Sequence, residues 1–101
     1  MLWAIYCIDK PNSALLREKH LEAHVKYFTD NQHLIFVSGP QQTDDASANI
    51  GSIYIINVKS RAEAQAFLDN EPLTRAGVFE SVRLTRMRRG RFFNPNLGEV
   101  I

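Results

Sequence analysis

The 101-residue chain predicts an α+β fold, a four-stranded antiparallel sheet with two helices on one face. Three observations predict it. Four short runs rich in β-branched and aromatic residues, near 2–9, 33–38, 51–58 and 78–87, read as strands. Two longer stretches with apolar residues three and four apart separate the first run from the second and the third from the fourth, and read as helices. The third run, GSIYIINV, is apolar on both sides of its alternation, which is the pattern of a strand covered on both faces.

Each element has a local cause. LWAIYCID, residues 2–9, is the first strand. Lys10-Pro11-Asn12-Ser13 is a turn, and Asn12 or Ser13 is placed to cap a helix that runs to about Asn31. HLIFVS, from His33 to Ser38, is the second strand, and Gly39-Pro40 is expected to end it. Residues 41–50 are polar and turn-forming and read as a loop. Gly51 to Val58 is the third strand. Ser60-Arg61-Ala62-Glu63 fits a capping box that opens the second helix, which runs to about Asn70. Pro72 fits the first turn of a short helical piece, Gly77 breaks it, and Val78 to Met87 is the fourth strand. The order is β-α-β-β-α-β, the ferredoxin-like arrangement. Residues 1–101 read as one domain, with a core to about residue 89 and a C-terminal tail over 90–101. Two helices cover one sheet face only. A chain this short has nothing left for the other, so a homodimer packed sheet to sheet is expected.

Composition narrows the function classes. Hydrophobic residues make up 45% and charged residues 23%, as in ordinary globular proteins, and the net charge is +1. No global field favours nucleic acid or an anionic membrane. The lone Cys7 has no intramolecular disulfide partner, which fits a reducing compartment, and the expected location is the cytoplasm. Cys7 lies in an apolar strand pattern and reads as a small core residue. The first run is too short and too polar at its end to span a bilayer, so no membrane association is expected.

The candidate chemistry begins at His24. It shares a helical face with Arg17, Leu21 and Phe28. A face carrying Leu and Phe points inward, so an imidazole and a guanidinium on it need partners. Residues alone leave two readings, a core histidine bonded to backbone or the wall of a polar cavity.

Four patterns along the chain then line up: Asp9-Lys10-Pro11 before the first helix, His24 after Arg17 upon it, Ser38-Gly39-Pro40 followed by Gly51-Ser52, and Glu71-Pro72 leading into Ala76-Gly77-Val78-Phe79-Glu80-Ser81-Val82. Together they resemble the YciI-like (YCII-related) family of the dimeric α/β-barrel superfamily, over residues 1 to about 89. The resemblance implies a ferredoxin-like subunit, a dimer, and an active site built on a histidine and an acidic residue. The histidine matches His24. The family's acidic residue is typically the Asp of an Asp-Pro pair followed by an aromatic, and here that place reads Glu71-Pro72-Leu73. The carboxylate is kept on an arm longer by one methylene, and the aromatic is lost.

A histidine beside a carboxylate is an acid–base pair that moves protons without a cofactor. The working hypothesis is that His24 is the general acid or base and Glu71 orients it. Arg17, Ser38 and Ser52 then bind an anionic or hydroxylated small molecule, by resemblance a hydroxylated aromatic. Each residue also has a structural reading: Glu71 as a helix-start charge, Arg17 as a solvated or interface residue, Ser38 as a strand end. A non-catalytic small-molecule-binding or regulatory dimer is the alternative. No metal site is expected: His20 and His24 are four apart on a helix, but His20-Leu21-Glu22-Ala23-His24 has no Glu directly after His20 as the zinc-protease pattern needs, and there is no cysteine cluster. No nucleic-acid binding is expected either, since the third strand lacks the basic-aromatic signature of RNA-recognition domains and the arginines from Arg83 to Arg91 read as solvated or tail-binding.

Overall fold

The structure is a computed structural model that describes residues 1–91. Its elements are β1 (Leu2–Asp9), α1 (Ala14–Lys19), α2 (Leu21–Asp30), a 3₁₀ turn (Gln32–Leu34), β2 (Ile35–Gln42), β3 (Asn49–Asn57), α3 (Arg61–Asn70), α4 (Pro72–Arg75) and β4 (Phe79–Met87). The strands form one sheet in the order β2-β3-β1-β4, antiparallel at each pairing. The expected β-α-β-β-α-β arrangement is therefore the observed one. The tail expected over 90–101 lies outside the described residues from residue 92 onward. No helix among the described residues is long and apolar enough to cross a membrane.

Strand alternation sorts the core. Trp3, Ile5 and Cys7 of β1 stand opposite Ile56, Tyr54 and Ser52 of β3, and all six are buried beneath the helices. Ala64, Phe67 and Leu68 of α3 close over them, with Tyr27 and Phe28 of α2 packed alongside. On the other face Tyr6 pairs with Ile53 and Val37 with Ile55. Tyr6, Ile53 and Val37 are 46%, 40% and 53% exposed, an apolar strip across three strands.

Four sequence expectations need correction. The first helix is two helices, broken at His20, whose ψ of 8° lies outside the helical range. The 4-3-4 spacing of Arg17, Leu21, His24 and Phe28 still holds them on one wall, because the His20 carbonyl accepts from the His24 amide at 3.0 Å. Ser13 takes the cap position, but its hydroxyl donates to the Lys10 carbonyl at 2.7 Å instead of accepting from the helix. Gly39-Pro40 does not end β2, which continues to Gln42. β2 is an edge strand, and proline's missing N–H costs little where no second neighbour needs it. The capping box at α3 is half formed. Ser60 Oγ accepts from the Glu63 amide at 3.1 Å, while the Glu63 carboxylate accepts from the Lys59 amide and not from that of Ser60.

Gly51 is a point of close approach. A Cβ there would lie 2.3 Å from the Cys7 carbonyl and 2.6 Å from Gln41 Nε2, which donates to that same carbonyl at 2.9 Å. Backbone cannot move aside cheaply. Gly51→Ala is therefore expected to cost about 1–3 kcal/mol, lowering Tm by about 4–8 °C per kcal/mol in a domain of this size. A thermal melt that matches wild type would contradict this.

Candidate active site

α1 and α2 leave the β2 edge of the sheet uncovered. Between them lies a cavity of about 480 Å³, with His24, Arg17 and Phe28 on the helical side and Ser38, Ser52 and Tyr54 on the strand side. All five residues singled out from the sequence are near it. Four of them, His24, Arg17, Ser38 and Ser52, line it directly, and Glu71 stands behind His24.

Glu71 is fully buried at the start of α4. Its side chain caps that helix, with Oε1 accepting from the Leu73 amide at 3.0 Å and Oε2 from the Thr74 amide at 3.1 Å. The Thr74 hydroxyl, at 3.3 Å, and the Tyr54 hydroxyl, at 3.4 Å, also donate to Oε2. His24 Nδ1 completes the set on Oε1. The longer arm of glutamate thus reaches His24 while serving as a cap, so the helix-start role and the histidine-pairing role coexist. Because the carboxylate only accepts, Nδ1 carries the proton and the neutral ring leaves Nε2 bare as a base. Phe28, with its ring centroid 4.4 Å from that of His24, holds the imidazole from one side. Among the described residues, the one buried side-chain polar atom without a partner is Trp3 Nε1. His24 Nε2 has no protein partner there either, so it is open to the cavity rather than sealed.

Tyr54 links this pair to the core. Its hydroxyl accepts from the Cys7 thiol at 3.5 Å as it donates to Glu71. Burial first, and then the Glu71 charge, push the phenol far above its usual range, so it stays a donor. Burial likewise pushes the Cys7 thiol up to about 11, which keeps it protonated and inert, as its apolar strand position suggests.

Arg17 is buried and engaged. Its Nε and Nη2 hold the Asp9 carboxylate as a two-pronged pair, at 2.8 and 3.0 Å, with both side chains under 10% exposed. Nη2 also donates to the Gly51 carbonyl at 3.0 Å and to Ser52 Oγ at 2.9 Å. Neither the solvated nor the interface reading of Arg17 survives this geometry. Ser52 is 2% exposed and is committed to Arg17, whereas Ser38 is exposed on the cavity rim, its hydroxyl unpartnered among the described residues.

Sequence reasoning missed three residues. Asp9 entered only as part of a motif before the first helix, Tyr54 only within the strand run GSIYIINV, and Thr74 not at all. Eight residues and a turn separate Asp9 from Arg17, so no helical or strand period joins them. Tyr54 carries no local mark beyond its inward position.

The YCII-related domain family matches residues 1–88. The chain belongs to the YCII-related family. Among solved structures it is similar to 5-chloro-2-hydroxyhydroquinone dehydrochlorinase (TftG) of Burkholderia phenoliruptrix AC1100, determined in complex with 2,5-dihydroxybenzoquinone. That likeness has 32% identity and a TM-score of 0.83, over 89% of this chain and 96% of the other. It also resembles the Pseudomonas aeruginosa protein PA3566, at 14% identity and a TM-score of 0.52 over 87% of this chain and 91% of that one, a likeness of fold alone. No curated protein matches it.

Proposed function

We propose that this YCII-related protein is a small enzyme in which His24 and Glu71 carry out acid–base chemistry on a small hydroxylated aromatic molecule. The observation that carries the reading is the orientation of His24, with Nδ1 on a buried carboxylate and Nε2 open to a cavity of ring-sized volume. Nε2 takes a proton from a ring hydroxyl as the O–H electron pair moves into the ring. It then returns that proton to a ring carbon. Where that carbon bears chlorine, release of a second hydroxyl proton with chloride leaves a quinone. The atoms balance as loss of HCl, with no oxidant and no cofactor. The 32%-identical dehydrochlorinase supports this substrate class by its named activity. Ser38 on the rim and the free Nη1 of Arg17 are the groups that would hold ring oxygens.

The test is chloride release from 5-chloro-2-hydroxyhydroquinone under anaerobic conditions. Catalysed release above the buffer rate is expected. Saturable binding of 2,5-dihydroxybenzoquinone without any release would leave the protein as a ligand-binding module instead.

The working unit in this reading is a homodimer in the cytoplasm. The exposed strip of Tyr6, Ile53 and Val37 is the surface that a second sheet would cover. Sedimentation velocity of the wild type is expected to give a dimer, and Ile53→Glu, which places a charge in the strip, a monomer. A wild-type monomer at tens of micromolar would rule out the sheet interface.

A further inference from the structure

Among the described residues, the cavity wall carries a single permanent charge, the Arg17 guanidinium, and that charge is already matched. The Nε–Nη2 edge, the side of the guanidinium that forks onto a carboxylate, is occupied by Asp9. The same Nη2 is held by the Gly51 carbonyl and Ser52 Oγ, so the pair cannot swing open without losing four hydrogen bonds. Only Nη1 remains for a ligand. It offers hydrogen-bond donation, which suits a hydroxyl or a carbonyl oxygen. Further along the same helical wall, Glu71 stands behind His24. Two carboxylates thus stand behind the wall, Asp9 at the guanidinium and Glu71 at the imidazole, against one permanent positive charge. A protonated imidazole brings the local count to zero, and a neutral one leaves an excess negative charge. Tyr54 stays protonated and adds none. In neither state does the cavity offer a net positive charge to an incoming anion.

We propose that Asp9 is a specificity-determining residue: by neutralising Arg17 from behind, it makes the cavity select rings that enter uncharged over the same rings carrying a carboxylate. This rests on the reading of the cavity as a site for hydroxylated rings, and it replaces the simpler expectation that Arg17 anchors an anionic ligand. Asp9 touches no ligand in this account. It acts through Arg17.

Two probes of equal size and shape separate charge from fit, 2,5-dihydroxybenzamide and 2,5-dihydroxybenzoate. Calorimetric titration of the full-length wild type at low salt is expected to give the amide an affinity at least about tenfold higher. Asp9→Asn keeps the side-chain shape and one acceptor for Arg17 while removing the charge. It is expected to move the ratio toward the carboxylate by about tenfold or more. Asp9→Ser is a second uncharged variant, and the wild-type ratio decides alone if neither variant folds. A wild type that binds the carboxylate as tightly as the amide overturns the proposal. So does a folded Asp9→Asn protein with an unchanged ratio. Absence of binding by both probes would remove the hydroxylated-ring reading and this proposal with it, so binding of the amide tells the two failures apart.

Discussion

His24→Ala is expected to lower kcat for chloride release by about 10²- to 10⁴-fold, the usual contribution of a positioned general acid or base. The fold should survive. The imidazole is at the cavity wall with 16% of its side chain exposed, and Glu71 keeps its four other donors when the ring is removed. Far-UV circular dichroism should therefore stay close to wild type, while the melt falls by about 4–8 °C per kcal/mol for the lost charge-assisted hydrogen bond, about 1–3 kcal/mol. His24→Asn sharpens the test. Its amide can reach toward Glu71 but supplies no base where Nε2 stood, so it should restore stability and not turnover. Unchanged kcat in either variant would end the role assigned to the imidazole.

Glu71→Ala should do more damage to the fold than any other single change at the site, about 3–5 kcal/mol. The alanine uncaps α4 and leaves the amides of Leu73 and Thr74 and the hydroxyls of Thr74 and Tyr54 without their buried acceptor. It also frees Nδ1 of His24, so the ring loses its tautomer and its aim. Chemical denaturation and a melt measure the first effect, and kcat on whatever protein remains folded measures the second. Glu71→Asp separates them. Aspartate is the better cap residue, so stability should stay within about 1–2 kcal/mol. Its arm is one methylene shorter, so the contact with His24 lengthens and kcat should fall by about tenfold or more. If Glu71→Asp matched wild type in kcat, the reach of glutamate would have no functional meaning. If Glu71→Ala were as stable as wild type, the five-donor cage around its carboxylate would be energetically empty.

Much of this architecture was legible because its causes are local. Alternation in LWAIYCID and GSIYIINV marks which side chains go inward, and the Ser60 cap and Pro72 mark where helices begin. The spacing of Arg17, Leu21, His24 and Phe28 placed a titratable pair on an inward face. The readings that failed are those in which a local rule depends on a neighbour. Gly39-Pro40 stops a central strand but not an edge strand, and a linear reading of HLIFVS cannot say which β2 is. The continuous first helix overlooked the turn at His20, where no Pro or Gly signals a break.

The sequence by itself determined the order of elements, the polar residues on the inward helix face, and the carboxylate at the start of α4. Tertiary structure alone decided what those polar groups face. It decided that Glu71 reaches His24 across 47 residues, that Tyr54 steadies it, and that Asp9 occupies Arg17. The physical reason is range. Propensity, alternation and capping act over a few residues and leave their mark in the chain order. A buried charge takes whichever partner the packed sheet and helices bring within about 3 Å, and that choice exists only once they are packed.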